Sequence, residues 1–328
     1  MVLKITNDTS YKVFYFTMLK KFKKYRMHCL ILTGLFCFIF LVISTSYADH
    51  QRTIAYIGFS TDKPFWVNLG KAVQREARQR DMILIDLTPP TADIELQIKF
   101  LEHAIEQQVD GIILGANSPT LLTKSLDKAA LNKIPVVAID TDINHPAIKS
   151  LVATDNVAGA DLAGRYIAQR TGGKGTVLIL GGTKNHPNGE ARRNGVTQRA
   201  EEAGMKVLFR RADWDDEKAF KITIEELGKQ NDISAIFACW DPGIDTASHV
   251  VAKKFADRKL ILVGFDGLDR TVNYIRQGKV TATIAQATHT MGKASVEIVE
   301  QVISGDEFSN KILIRPYLVD YQYLVRNE

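Results

Sequence analysis

Twice along this chain, short apolar runs alternate with amphipathic stretches at a spacing that leaves few folds open. In the first half the runs cover residues 53–59, 82–87, 111–114 and 135–139. Between them lie a helical stretch reaching about Arg80, another capped by Asp93 and reaching about Gln108, and a third after the loop 115–119. After residues 151–156 the pattern restarts. A helix over 157–170 and a glycine turn at 172–175 precede runs at 176–180, 205–209, 235–238 and 260–263. Strands and helices alternating this way predict βαβ units and parallel sheets, an α/β fold with two doubly wound halves. A length of 328 residues suits two domains of ordinary size.

The stretch over 263–286 concentrates the chemistry. An apolar run ends in Val263-Gly264-Phe265-Asp266-Gly267, a short amphipathic helix follows, and a second strand reads Val-Thr-Ala-Thr-Ile-Ala before Gln286. Open parallel sheets bind ligands outside the carboxyl ends of their strands. There Phe265 offers a ring for stacking, Asp266 accepts hydroxyl hydrogens, and Gln286 supplies a donor and an acceptor. Such a set suits a polyhydroxylated ligand.

The net charge of +5 is concentrated at one end. Residues 1–48 hold seven Lys/Arg and one acid, which leaves 35 basic and 36 acidic residues in the remainder, a net −1. That body is not a basic nucleic-acid binder. Lys20, Lys21, Lys23, Lys24 and Arg26 precede an apolar run over 29–43, and Ser46-Tyr47-Ala48 supplies small residues for a peptidase. This is the layout of a cleaved export signal over 1–48, with Asp49 as the new N-terminus and Met18 or Met27 as alternative starts. An uncleaved anchor is the other reading, but the run falls short of the roughly twenty residues of a span. No lipobox cysteine ends the run. Cleavage removes Cys29 and Cys37 and leaves Cys239 alone, so no internal disulfide is expected.

Gly-Phe-Asp-Gly at 264–267, followed by Ala-Thr-Ile-Ala-Gln at 282–286, resembles the periplasmic sugar-binding proteins of the ribose-binding type. These are type I periplasmic binding proteins, which deliver ligand to ABC importers. The resemblance covers the chain from about Thr53 to its end. Sugar-operon repressors share these motifs but carry a helix-turn-helix where this chain has its export signal. The resemblance implies two doubly wound parallel-sheet lobes joined by a three-segment hinge. Residues 49–153 plus 287–317 would form the N-terminal lobe, and 154–286 plus 318–328 the C-terminal lobe. The chain would cross between them near 153–155, 285–287 and 317–319. Further implications are a periplasmic monomer with no cofactor, no metal and no nucleic acid. Its partners would be a sugar or sugar-like small molecule and the membrane permease of an ABC transporter, or a membrane sensor.

Residue by residue, the resemblance places Phe65 and Trp66 in the loop where rings sandwich the sugar, although an aromatic pair at a helix start also serves as a packing staple. Asp140 matches a binding Asp, Asn117 a binding Asn in the preceding loop, and Arg192 a binding Arg just inside a helix. A guanidinium presents a rigid fork to vicinal hydroxyls or a carboxylate; the competing reading is a surface Arg. Trp214 replaces a family Phe, Trp240 stands where ribose binders have Asn, and Asp241 matches a family acid. Phe265, Asp266 and Gln286 complete the set. Phe59 and Lys63 occupy positions of small polar residues, and Thr141 replaces an Arg. These departures argue against ribose itself. They leave open a sugar acid, an amino or modified sugar, or a furanose signal. Asp213 or Asp215 is expected only to cap the next helix.

Other chemistries fit less well. The run 140–144 imitates a calcium loop, but its sixth residue is His145 and its twelfth Leu151. The glycine turn at 172–175 lacks P-loop spacing. The seven histidines are scattered, and Ser60, Ser118 and Cys239 lack a nucleophile signature. Two acids facing one cleft keep sugar hydrolysis as a minor reading, which ligand turnover would reveal.

Overall fold

The computed structural model describes residues 51–327. The export signal expected over 1–48 lies outside them. Among the described residues no helix is long and apolar enough to cross a membrane.

The chain first lays down β1 (Thr53–Ile57), α1 (Pro64–Gln79), β2 (Ile83–Asp86), α2 (Ile94–Glu106), β3 (Gly111–Leu114), α3 (Thr123–Leu131), β4 (Val136–Ile139) and β5 (Ile148–Thr154). It then builds α4 (Asn156–Thr171), β6 (Thr176–Gly181), α5 (Pro187–Glu202), β7 (Lys206–Arg211), α6 (Asp216–Lys229), β8 (Ile233–Ala238), α7 (Asp241–Lys254), β9 (Ile261–Asp266), α8 (Asp269–Arg276) and β10 (Ala282–Ala285). Finally come α9 (Thr288–Ser304), β11 (Lys311–Ile314), β12 (Tyr317–Asp320) and α10 (Tyr321–Asn327).

Two six-stranded sheets result, ordered β11-β5-β4-β3-β1-β2 and β12-β10-β9-β8-β6-β7. Every pairing is parallel except β10 with β12. The central strands are buried along their whole length, as parallel strands covered by helices on both faces require. This is the doubly wound, two-lobed α/β fold that the sequence predicts.

The chain passes between sheets after β5, after β10 and after β11. Thr154 still pairs with Ile314 in the first sheet, while Tyr317 already pairs with Ala285 in the second. The third crossing therefore falls at Arg315-Pro316, ahead of the expected 317–319. Proline has no N–H to give a ladder, which suits a residue between two strands. The helix α9 returns to the first lobe and packs against α1, where Gly292 lets the two helices approach closely.

Each sheet reverses its winding at its first strand, β1 between β2 and β3, and β6 between β7 and β8. Crevices form at such switch points, outside the carboxyl ends of the strands. Three helices that start there, α1, α5 and α7, have proline in the first two positions, where its missing N–H costs nothing.

Candidate functional site

Loops from both switch points converge on one cleft of about 600 Å³, its open mouth included. From the first lobe, the β1–α1 connection brings Phe59, Lys63, Phe65 and Trp66, and the end of β4 brings Asp140. From the second, the end of the loop after β6 brings His186, and the start of α5 brings Asn188 and Arg192. The later strand ends bring Trp214, Trp240, Pro242, Asp266, Leu268 and Gln286.

The aromatic walls are held by close approach to glycine. A Cβ on Gly115 would lie 2.2 Å from Cζ3 of Trp66, and one on Gly182 would lie 2.1 Å from Cζ2 of Trp214. Trp66 lies nearly parallel to Phe59, with centroids 5.8 Å apart, and meets Phe65 edge-on. Across the cleft Trp214 meets both His186 and Trp240 edge-on. Offset and edge-on geometries are those aromatic pairs prefer.

The cleft floor is a continuous hydrogen-bonded chain of buried polar groups. Arg192 donates from Nε to Asn156 Oδ1 and from Nη1 to the Cys239 carbonyl, both at 2.8 Å, and Nη1 lies 3.8 Å from Asp266 Oδ1. Its guanidinium covers the Phe265 ring, 3.8 Å from the centroid. Asn156 donates to Asn188 Oδ1, and Asn188 donates to Asp140 Oδ2 at 2.8 Å. On the other side Gln286 accepts from Thr154 Oγ1 and donates from Nε2 to Asp266 Oδ1. Satisfied networks of this kind rigidify a site. Two buried atoms of the cleft lining stay without a protein partner, Asp140 Oδ1 and His186 Nδ1.

Burial dominates the electrostatics. It raises the Asp140 carboxyl to about 6 against the pull of nearby Arg192. It raises Asp266 to about 6 likewise, with Arg192 and the Gln286 hydrogen bond opposing. Burial and then Arg192 push His186 down to about 4, which leaves its ring neutral at pH 7. Asp140 has φ 65° and Asp266 φ 142°, conformations that side-chain-bearing residues rarely adopt. Such strain costs of order 1–3 kcal/mol per residue and persists where surrounding bonds over-determine it.

Ten of the sequence-predicted site residues line this cleft: Phe59, Lys63, Phe65, Trp66, Asp140, Arg192, Trp214, Trp240, Asp266 and Gln286. Three do not. Phe265 is fully buried beneath Arg192 and acts as its shelf. Asp241 is also fully buried and turns away from the cleft. Its carboxylate accepts from Thr283 Oγ1 at 2.6 Å and from the Leu268 N–H at 2.7 Å, which pins the loop after β9. Asn117 gives its backbone N–H to Gln97 Oε1, while Gln97 Nε2 holds the Gly58 and Gly115 carbonyls. The Asn117 amide makes no protein hydrogen bond and lies outside the lining.

Sequence reasoning missed His186, Asn188, Pro242 and Leu268. The proline-started helices directly after β6 and β8 were the available signal. Asp215 caps α6 as expected, accepting from the Lys218 N–H. Among the described residues no cluster of three or more His, Cys, Asp or Glu could hold a metal ion.

Comparison with known proteins is consistent with this geometry. Residues 54–307 match the family described as a periplasmic binding protein domain. The ribose import binding protein of Haemophilus influenzae is 29% identical over 273 residues, covering 83% of this chain and 92% of its own length. The D-allose-binding periplasmic protein of Escherichia coli is 28% identical, with 79% and 86% covered. An ABC transporter periplasmic solute-binding protein from Actinobacillus succinogenes 130z, solved with bound D-allose, superposes with a TM-score of 0.80. It has 25% identity and covers 84% of this chain and all of its own. A chain of the XylFII–LytSN complex has 28% identity and a TM-score of 0.75, with 83% and 98% covered. Since the family match covers most of the chain and every strand end that builds the cleft, this chain belongs to the periplasmic binding proteins.

Proposed function

We propose that this protein is exported to the periplasm and captures a sugar between its two lobes for delivery to an ABC-type importer. The observation that carries the reading is the cleft at the paired switch points, where rings from both lobes face a floor of buried carboxylates and one guanidinium. Rings stack on the apolar faces of a pyranose or furanose, and ionised groups make the stronger hydrogen bonds to its hydroxyls. Asp140, Arg192 and Asp266 are the principal ligand contacts, with Trp66 and Trp214 as opposed walls. The ribose and allose binding proteins among its relatives support a sugar as ligand.

Closure is a shift between open and closed forms, driven by the ligand's greater affinity for the closed one. The protein acts as a monomer, needs no cofactor and returns its ligand unchanged. Protein purified from the periplasm, whose N-terminus should be Asp49, would be screened by thermal shift against monosaccharides. A ligand at a hundredfold excess over Kd stabilises by about 2.7 kcal/mol. No shift with any sugar would refute the reading.

A second reading follows from the XylFII–LytSN complex, whose XylFII chain is similar to this protein. In that role the closed form signals to a membrane sensor and no transport occurs. Uptake of labelled ligand in cells lacking the protein separates the two: an importer component loses uptake, a sensing subunit does not.

A further inference from the structure

The cleft has a polar floor and, beside it, a corner walled mainly by apolar side chains. Asp140, Asn188, Arg192 and Asp266 form the floor, each less than one-tenth exposed. Beside that floor, Trp214, Trp240, Pro242 and Leu268 wall a corner of the cleft with mainly apolar surface. Trp240 turns its indole N–H out of the corner, to Asp216 Oδ1 at 3.2 Å. His186 closes the corner edge-on to Trp214, with Nδ1 as its unpartnered polar atom.

Charge points the same way. Arg192 spends Nε and Nη1 on Asn156 and the Cys239 carbonyl and lies 3.8 Å from Asp266, and Lys63 sits 3.8 Å from Asp62. Two floor carboxylates, both raised only to about 6, face one buried guanidinium and a neutral imidazole, so at pH 7 the floor carries a net negative charge that disfavours an acidic ligand.

Resting on the sugar reading above, we infer that the ligand is an uncharged sugar carrying an apolar edge, a deoxy carbon or an O-methyl group, that seats against Trp214, Trp240 and Leu268. A hydroxyl pressed into that corner would lose its water without gaining a partner. An apolar pocket rejects an added hydroxyl by up to about a hundredfold.

Isothermal titration would compare series that differ at one group: D-galactose, D-fucose and D-galacturonate; D-glucose, 6-deoxy-D-glucose and D-glucuronate; D-ribose, 5-deoxy-D-ribose and methyl β-D-ribofuranoside. In at least one series the deoxy or methylated member should bind about tenfold or more tighter than its parent, and the uronates should not bind. Trp240→Asn should shift the ratio at least tenfold toward the parent, while Trp240→Phe keeps it. The thermal midpoint of each empty variant reports that it folds. Tighter binding by the hydroxylated parent in every series, or binding of a uronate, would overturn the inference while leaving the sugar reading intact. Silence of all nine compounds would overturn the inference, and silence of every sugar in the thermal-shift screen would remove the sugar reading as well.

Discussion

Asn188 of the second lobe donates a 2.8 Å hydrogen bond to Asp140 of the first, and the same amide nitrogen lies 3.2 Å from the Asp140 carbonyl. This contact spans the cleft, so opening must break it. A buried hydrogen bond is worth about 1 kcal/mol net. Asn188→Ala should weaken sugar binding roughly five- to tenfold by disfavouring the closed form. Small-angle scattering should show the larger radius of the open form gaining population, and an unchanged equilibrium would exclude the bridge as a latch.

The floor carboxylates make binding depend on pH. Hydroxyl donation favours ionised Asp140 and Asp266, both raised to about 6. Affinity should fall as pH drops below 6 and level off above it. Stability of the empty protein runs the other way for these groups. Their folded values lie above the ordinary 3.8, so the folded state holds protons that the unfolded state has lost. The stability they contribute is present at low pH and is lost as pH rises from about 4 through 6. His186, lowered to about 4, acts with opposite sign between 4 and 6.5. The measurement is therefore a difference: relative to Asp140→Asn, the wild type should lose stability across that window. A constant offset between the two midpoints would contradict the raised carboxyl.

Arg192 is a structural cation as well as a candidate ligand contact. Its removal leaves Asp266 and the Cys239 carbonyl short of a buried partner, and breaking buried pairs costs about 3–5 kcal/mol. Arg192→Met should lower the urea midpoint markedly, and Asp266→Asn in the same chain should restore part of it. Purely additive losses would show that the two groups do not interact.

Gly182→Ala tests the placement of Trp214. The new methyl would overlap the indole, and overpacking typically costs 1–3 kcal/mol. Sugar affinity should fall at least tenfold with the far-ultraviolet spectrum unchanged. Normal affinity would mean that Trp214 is not a ligand wall.

The alternation of strands and helices made both sheets readable, because buried parallel strands are apolar throughout. The strand β11 escaped notice: Lys-Ile-Leu-Ile is short, and its pairing partner β5 lies about 160 positions earlier. At the site, strand ends were legible as positions but not as directions. Asp241 opens α7 just after β8 and Asp266 ends β9, yet Thr283 and Leu268 hold the first carboxylate away from the cleft. Phe265 and Asp266 are neighbours at the end of β9, yet Phe265 is buried beneath Arg192 and only Asp266 lines the cleft. His186 is the N-cap residue of α5 and Asn188 lies in its first turn, a polar stretch whose sequence resembles any solvated helix start.

The chain has three tryptophans, and Trp66, Trp214 and Trp240 all line the cleft. Its indole emission therefore comes entirely from the ligand site, with one fluorophore on the first lobe and two on the second. Closing brings the first toward the other two and changes their exposure to water. The unlabelled protein thus carries its own optical gauge of the open and closed forms, and a stopped-flow trace of that emission would time the closing step directly.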